Sequence, residues 1–496
     1  MTPLTTSPAA ADHEVSHVDA APRRVDLSSQ RLHFVGIGGC GMSGLARLAA
    51  RRGAACSGTD MAETDAITTL RDEGISITTG EQSAQTVPHD CDCLVCSAAI
   101  RDDNLEVLEA QRRGIKVVKY AQLLGSLMIG QTGVAIAGTH GKSTTTSLLS
   151  HVLIECGLDP SFIVGANCPQ IGGGSRVGGS DLLIAEACEF ARSFHCFFPT
   201  HAVILNVEAD HLDMYSGIDE IVDAFAQFAR LIPRDGSLLI NYEMSHRLAI
   251  TAGLDCPFET IGFAPQADWR IELVQSQEPV VKSNKPVTMN PKVQLHEHDK
   301  LVAWWRCSMP GEHMAYNAAV AAITAHRLGA SWDQVSAAIG GFRGLDRRMQ
   351  FLGDRRTESG TISIVDDYGH HPTEIDTTLR ALRCHYRPKR VICVFQPHQH
   401  SRTRFLLDDF AASFAEADVV IVPHIYFVRD SEEERHTVRA ADLVDQLRQR
   451  DKEAMHLYPF EAIVKQLELI CRGGDLLVTM GAGDVGNVAH QFLGIA

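Results

Sequence analysis

No run of apolar residues in this chain is long enough to span a bilayer, and the first thirty residues, MTPLTTSPAAADHEVSHVDAAPRRVDLSSQ, lack the apolar core of an export signal. Those absences point to a cytoplasmic chain with no membrane attachment, and residues 1–30 read as a disordered polar tail. Basic charge is also in short supply. With 61 acidic and 45 basic side chains the formal charge is −16, which excludes a surface built to displace counterions from nucleic acid. Any phosphate ligand must then be held by local cations and metal against a repulsive background field. The 14 cysteines lack the spacing of a disulfide framework and fit reduced thiols. Cys91, Cys93 and Cys96 of CDCLVCSAA raise the question of zinc. No partner Cys or His pair follows at finger spacing, so small buried side chains on a strand fit better.

What is present is a strand–loop–helix rhythm repeated over a length that exceeds one core. At about 150 residues per domain, 496 residues make roughly three. Residues 31–128 alternate LHFVGIGG, ACSGTD, CLVCSAAI and KVVKY with helical stretches. Residues 129–345 open on VAIAGTHGKS, carry DLLIAEA and HAVILNVEAD, and end on the Ala-rich helix from Glu312; a polar stretch from Gln275 to Lys300 reads as a strand-rich insertion or loop. Residues 346–496 carry TISIVDDYG, RVICVFQP, VVIVPHIY and DLLVTMGAG. The expected class is α/β with three mostly parallel sheets: a Rossmann-like N-terminal domain, a phosphate-loop ATPase-like centre and a Rossmann-like C-terminal domain.

Two phosphate-binding turns stand in the first 150 residues. In Gly138-Thr139-His140-Gly141-Lys142-Ser143-Thr144 the glycines let backbone N–H groups approach phosphate, Lys142 reaches the outer phosphates and the Ser143 hydroxyl suits Mg²⁺. Ile136 stands where the usual loop has a further glycine. Hard oxygen ligands are expected at the ends of the neighbouring strands, with Glu186 and His211 foremost and Asn206, Glu208, Asp210 and Asp213 beside them. The other turn, Gly36-x-Gly38-Gly39-x-Gly41 with Asp60 about twenty residues on, fits a dinucleotide fingerprint or any nucleotide diphosphate at a helix N-terminus. Alone it would favour an NAD-dependent dehydrogenase, but no hydride-transfer site follows. In the last third, VDDYGHHPTE and FQPHQHSRTRF end successive strands in polar company, and their convergence at one sheet edge would make an anion-handling cleft.

Taken in order, GIGGCGMSG, GTHGKSTTT, EACEFARSF, NVEADHLD, GEHMAYNA, DDYGHHPTE, FQPHQHSRT and GAGDVG resemble the Mur ligases, ATP-dependent amide-forming enzymes of peptidoglycan precursor synthesis. The resemblance runs from Arg31 to the C-terminus and explains two loops in one chain: one for the diphosphate of a UDP-sugar, one for the triphosphate of ATP. It implies that ATP phosphorylates the lactyl carboxylate of UDP-N-acetylmuramate and that the amine of L-alanine attacks the acyl phosphate. It implies Gly36, Gly38, Gly39, Gly41, Asp60 and Ser97 for the UDP-sugar, and Lys142 with Mg²⁺ on Ser143, Glu186 and His211 for charge neutralisation. It further implies Arg347 or Arg348 as a catalytic cation, His313 and Asn317 at the adenine, Asp366 or Asp367 at the ribose, and Tyr368, His370, Gln399 and Arg402 around the amino acid. Two positions depart from the family pattern: Met314 where Asn is common, and Gln399 where Arg is usual. The competing readings are a recycling ligase that attaches a peptide to the same UDP-sugar, an oxidoreductase, and a non-catalytic nucleotide-binding regulator. A monomer or weak homodimer is expected.

Overall fold

The computed structural model describes residues 25–212, 214–274, 292–428 and 430–495. The expectations for residues 1–24, for Asp213 and for most of the 275–300 insertion therefore lie outside the described residues. Leu27 falls inside the expected tail yet is buried at 2% exposure in the first core. Ordered chain therefore begins at least six residues earlier than composition indicates.

The described residues form three sheets. The first is wholly parallel: β1 (Arg31–Val35), β2 (Ala55–Asp60), β3 (Ser76–Thr79), β4 (Cys93–Cys96) and β5 (Lys116–Lys119), in the order β3-β2-β1-β4-β5. The order reverses between β1 and β4, and such a switch point opens a crevice at the carboxyl ends of the strands. Cys91, Cys93 and Cys96 are buried on and just before β4, and burial pushes the Cys93 and Cys96 thiols up to about 11. They behave as small apolar side chains.

The second sheet is larger. It comprises β6 (Thr132–Ala137), β7 (Ser161–Ile163), β8 (Ser175–Arg176), β9 (Leu182–Ala187), β10 (His201–Ile204), β11 (Ser237–Asn241), β12 (Phe258–Gly262), β13 (Trp269–Val274), β14 (Lys292–Glu297) and β15 (Lys300–Arg306). Their order is β15-β14-β13-β12-β11-β10-β6-β9-β7-β8, with antiparallel pairs only at its two ends. Val134, Ala135, Ile136 and Ala137 of β6 are all fully buried, the continuous apolar run expected of a parallel strand covered on both faces. One cover is the helix Glu312–Arg327, in which Met314 through Ala325 are all buried. A helix so rich in alanine is both a strong helix former and narrow enough to pack closely against the helix Lys142–Glu155.

The third sheet holds β16 (Gln350–Thr357), β17 (Gly360–Asp367), β18 (Val391–Phe395), β19 (Val419–Val422), β20 (Glu453–His456) and β21 (Leu476–Met480), ordered β16-β17-β21-β18-β19-β20. Only the β16–β17 hairpin is antiparallel. Each sheet turns the carboxyl ends of its strands toward the loops that carry the candidate residues.

Candidate active site

The phosphate loop between β6 and the helix Lys142–Glu155 is held by its neighbours. Gly138 and Gly141 take φ of +141° and +83°. A Cβ at Gly138 would come within 2.9 Å of Leu205, and one at Gly141 within 3.0 Å of Asn317 Oδ1. Only glycine fits both the angles and the space. Asn206, just past β10, accepts the His140 N–H (2.7 Å) and donates to the His140 carbonyl (3.1 Å). Thr139 and Thr144 are buried beside it.

Lys142 turns back over this loop. Its ammonium donates to Glu189 Oε2 at 2.9 Å, to the Thr139 carbonyl at 3.1 Å and to the Gly138 carbonyl. Burial alone would lower its pKa, but the charge of Glu189 outweighs burial and holds it above the ordinary value. Next in the chain, Ser143 donates to Glu186 Oε2 at 3.1 Å, and Gly165 N–H donates to the other carboxylate oxygen. Burial pushes the Glu186 carboxyl up, as expected of an acid enclosed with little compensating charge. A hydroxyl and a carboxylate beside a phosphate loop are the hard oxygens that Mg²⁺ takes. His211 stands 3.8 Å from Asp210 and 4.0 Å from Glu189, with its ring edge against Phe190. Burial lowers its pKa, so the imidazole is neutral and has a lone pair for a metal. Its φ of +53° is a strained backbone angle for a residue with a side chain.

The first loop reaches the same place from the other side. Gly36 N–H and Ile37 N–H donate to the Thr59 carbonyl, and Asp60 Oδ2 accepts from Gly38 N–H at 2.8 Å. Ser97, at the end of β4, donates its N–H to the Val35 carbonyl beside Gly36. The helix Cys40–Arg51 starts from Gly39 with no side-chain cap, so its first N–H groups face outward for an anion. Gly41 lets this helix close on the Tyr120 ring. Cys40 Sγ donates to the Val164 carbonyl at 3.2 Å, one residue from the Gly165 that binds Glu186. Burial and then the charge of Glu186 push the Tyr120 phenol well above its usual range. The two helix N-termini thus meet around Glu186.

The third unit closes over the triphosphate side. A cavity of about 1020 Å³ lies between it and the phosphate loop, walled by His140, Thr144, His313, Asn317, Arg348, Asp367 and Glu374 among others. Arg348 Nη1 is 3.4 Å from Glu374 Oε1, and His140 Nδ1 is also 3.4 Å from that oxygen. Burial lowers the His313 pKa to about 4, leaving a neutral ring on the cavity wall; Met314 lies beside it. His370 also falls to about 4, chiefly by burial; its Nδ1 lies 3.2 Å from the Tyr368 carbonyl. Tyr368 lies under both Arg347 (5.2 Å) and Arg348 (5.1 Å).

Two adjacent pairs that sequence left open point to different sides: Asp366 and Asp367 by strand alternation on β17, Arg347 and Arg348 in the turn before β16, where Arg347 takes a φ of +58°. Asp367 lines the cavity, whereas Asp366 accepts from Thr479 Oγ1 (2.6 Å) and Arg347 Nε (3.1 Å) on the other side of β17. Arg347 in turn donates to the Gly481 carbonyl at 2.6 Å, so of the arginine pair Arg348 faces the cavity. Of the two acids expected at the ribose, Asp367 is the one on the cavity wall, and Arg347 bridges β17 and the loop after β21. Arg402 is not open to solvent: Nε and Nη2 both reach Asp210 Oδ1, and Nη1 lies 3.2 Å from His398. Gln399 is buried at a φ of +68°, its N–H on the Tyr426 carbonyl, and it shares a small cavity with Arg402.

Four residues of the site escaped sequence reasoning as partners: Glu189 for Lys142, Asp210 for Arg402, and Glu208 and Glu374 on either side of His140. Each lay within a quoted motif, but nothing local marks which acid meets which base.

Three units converging on one phosphate loop, with a diphosphate-type turn on one side and a cationic cleft on the other, define a multidomain nucleotide-handling enzyme. Three family models match in succession: residues 31–132 match the Mur ligase family, catalytic domain, 136–325 the Mur ligase middle domain, and 347–483 the Mur ligase, glutamate ligase domain. The chain belongs to the Mur ligase family. Relatives named UDP-N-acetylmuramate–L-alanine ligase include that of Caldanaerobacter subterraneus subsp. tengcongensis, 38% identical over 95% of this chain and 98% of that one. That of Clostridium novyi is 37% identical over 94% and 98%. The crystal structure of the UDP-N-acetylmuramate–alanine ligase of Thermotoga maritima shares the fold, with a TM-score of 0.75 at 24% identity over 94% of this chain and 98% of that one. A murein peptide ligase from Psychrobacter arcticus follows at 0.66, with the same identity and coverage.

Proposed function

We propose that the chain joins L-alanine to the lactyl carboxylate of UDP-N-acetylmuramate with release of ADP and phosphate, the first amino-acid addition in peptidoglycan precursor synthesis. One observation carries the reading. The helix behind the first loop begins at Cys40, whose thiol donates to the Val164 carbonyl next to the Gly165 N–H that binds Glu186, so a sugar nucleotide on one loop delivers its carboxylate to the triphosphate on the other. Among the described residues, nothing near the first loop resembles a hydride-transfer site, which disfavours an oxidoreductase.

In this reading a lactyl carboxylate oxygen attacks the γ-phosphorus, and the bond to the ADP oxygen breaks. The amine nitrogen of alanine then attacks the acyl carbon, phosphate leaves, and the amine loses its proton. Lys142 gives up Glu189 and the loop carbonyls to take a phosphate oxygen. Ser143 and Glu186, with His211 as a third candidate ligand, would hold Mg²⁺, which would supply charge neutralisation at the phosphates. Arg348 adds positive charge from the C-terminal side. Asn317 and His313 face the base and Asp367 the ribose. His370, neutral at pH 7, accepts a hydrogen bond from the alanine amine without repelling it, and Arg402 attracts the alanine carboxylate. The recycling alternative needs room for a peptide beyond this pocket; the curated relatives favour alanine.

The deciding measurement is ADP release with each substrate omitted in turn. Turnover that needs both UDP-N-acetylmuramate and L-alanine supports the reading. Turnover indifferent to the sugar nucleotide, or better with a peptide than with alanine, refutes it.

A further inference from the structure

Two imidazoles and one carboxylate whose side chains take no part in the reaction above converge between the phosphate loop and the C-terminal unit. His140 Nε2 lies 3.5 Å from Glu208 Oε2, and His371 Nδ1 lies 3.9 Å from the same oxygen. The three ligand-type atoms all fall within 4.8 Å of one another. The two rings lie with their centroids 4.7 Å apart, tilted at 44°.

The far nitrogen of each ring is already committed. His140 Nδ1 faces Glu374 Oε1 at 3.4 Å. His371 Nε2 lies 3.2 Å from the Ala209 carbonyl, while its Nδ1 accepts the Thr373 N–H at 3.3 Å. Only the tautomer with hydrogen on Nε2 satisfies both contacts, so the lone pair of His371 sits on Nδ1, the atom nearer Glu208. His140 Nε2 is buried and has no hydrogen-bond partner. Histidines that bind metals are oriented in this way, with the second nitrogen donating to a carboxylate or a backbone carbonyl.

The geometry points to a transition-metal site, of the Zn²⁺ class, formed by His140 Nε2, Glu208 Oε2 and His371 Nδ1. Two nitrogens and one oxygen suit Zn²⁺, whereas Mg²⁺ prefers an all-oxygen shell such as the Ser143–Glu186 pair offers. Bonds of about 2.0–2.2 Å in a tetrahedron set ligands roughly 3.3–3.6 Å apart, so the two contacts to Glu208 need to shorten by a few tenths of an ångström at most. Coordination replaces the long Thr373 contact. His140 and Glu208 belong to the middle unit and His371 opens the helix Pro372–Tyr386 of the C-terminal unit, so the ion ties one unit to the other.

The test uses the full chain stripped by a chelator and titrated with Zn²⁺ against a chromophoric competitor. His371→Asn keeps an acceptor at the helix N-cap while removing the imidazole, and Glu208→Gln keeps shape while removing charge. One ion per chain is expected, with affinity falling at least about tenfold in each variant, the lower end of what even indirect disturbance of a metal site causes. Co²⁺ in place of Zn²⁺ should give visible bands of nitrogen and oxygen ligation without a thiolate charge-transfer band. Equal affinity in wild type and both variants, or a thiolate band placing the ion on cysteines, overturns the site. Circular dichroism identifies a variant that fails to fold; the Co²⁺ spectrum of the unaltered chain then decides. Because binding is read without turnover, its failure leaves the proposed ligase reaction untouched.

Discussion

Arg402 Nη2 and Asp210 Oδ1 meet at 2.9 Å across 192 residues of sequence, with side chains only 7% and 8% exposed. The guanidinium holds the Asp210 carboxyl well below the usual carboxylate range against the opposing effect of burial. Arg402 is therefore a strut between middle and C-terminal units, and in the proposed reaction it also attracts the alanine carboxylate. Arg402→Ala leaves a buried charge unpaired, which costs about 3–5 kcal/mol. We expect it to lower the melting temperature and raise the alanine KM together, with Arg402→Lys recovering part of the stability. Gln399→Ala should be milder, since its N–H to Tyr426 and its carbonyl to Thr403 are backbone contacts that alanine keeps. Alanine saturation at fixed ATP and UDP-sugar, alongside thermal unfolding, checks both. Equal damage from the two would make Gln399 a principal ligand.

Lys142→Ala and Glu186→Ala should each reduce ADP release by about 10²–10³-fold or more, the scale of losing a preorganised charge at a reacting centre. UDP-sugar affinity should stay within about twofold, because its loop belongs to the first sheet and touches neither side chain directly. Calorimetry of the variants with UDP-N-acetylmuramate decides. A large affinity loss in Lys142→Ala would mean that the two loops have been assigned the wrong way round.

Much of this was legible in the sequence because strand, glycine turn and helix are local signals. VAIAGTHGKS and LHFVGIGG announce both loops through apolar runs that stop at glycine. β3 was not anticipated, since SITT is short and half polar and its pairing with β2 is set by the sheet rather than by its own pattern. The charge partners were hidden for a different reason. Glu189 meets Lys142 across 47 residues and Glu374 meets Arg348 across 26, and no spacing rule links such positions. The choice between Asp366 and Asp367 needed only the period of two, once the strand was known to run through both.

His140 gives a pH signature. Burial disfavours its charge, but the neighbouring carboxylates of Glu208 and Glu374 outweigh burial and push it up to about 9. A histidine pKa raised above its unfolded value of 6.5 contributes stability that is fully present below pH 6.5 and is lost as pH rises through about 9. At 1.36 kcal/mol per unit the upper bound is about 3 kcal/mol. In chelator-treated protein, the unfolding free energy of wild type minus Glu374→Gln should be largest at pH 6 and shrink toward pH 10. A gap that does not vary with pH would show His140 to be neutral throughout.

Asp366 and Asp367 should separate cleanly into a stability residue and a nucleotide residue. Asp366 is bound on both oxygens, to Thr479 and Arg347, and neither partner faces the cavity. Asp366→Asn is expected to lower the melting temperature while leaving the ATP KM within about twofold. Asp367 already accepts from Met349 N–H and Gly369 N–H at 2.7 Å each, and burial pushes its carboxyl up to about 6. It is thus ionised at pH 7.5, and a ribose hydroxyl gains a charge-assisted bond, roughly 1–2 kcal/mol better than a neutral one. Asp367→Asn keeps one of these two backbone bonds, sets its amide N–H₂ against the other N–H donor, and removes that charge. The ATP KM should rise about five- to thirtyfold at pH 7.5. For wild type the advantage should fade as pH drops through 6 and the carboxyl takes up its proton. If Asp366→Asn instead raises the ATP KM and Asp367→Asn does not, the nucleotide lies on the other side of β17 and the cavity is not its site.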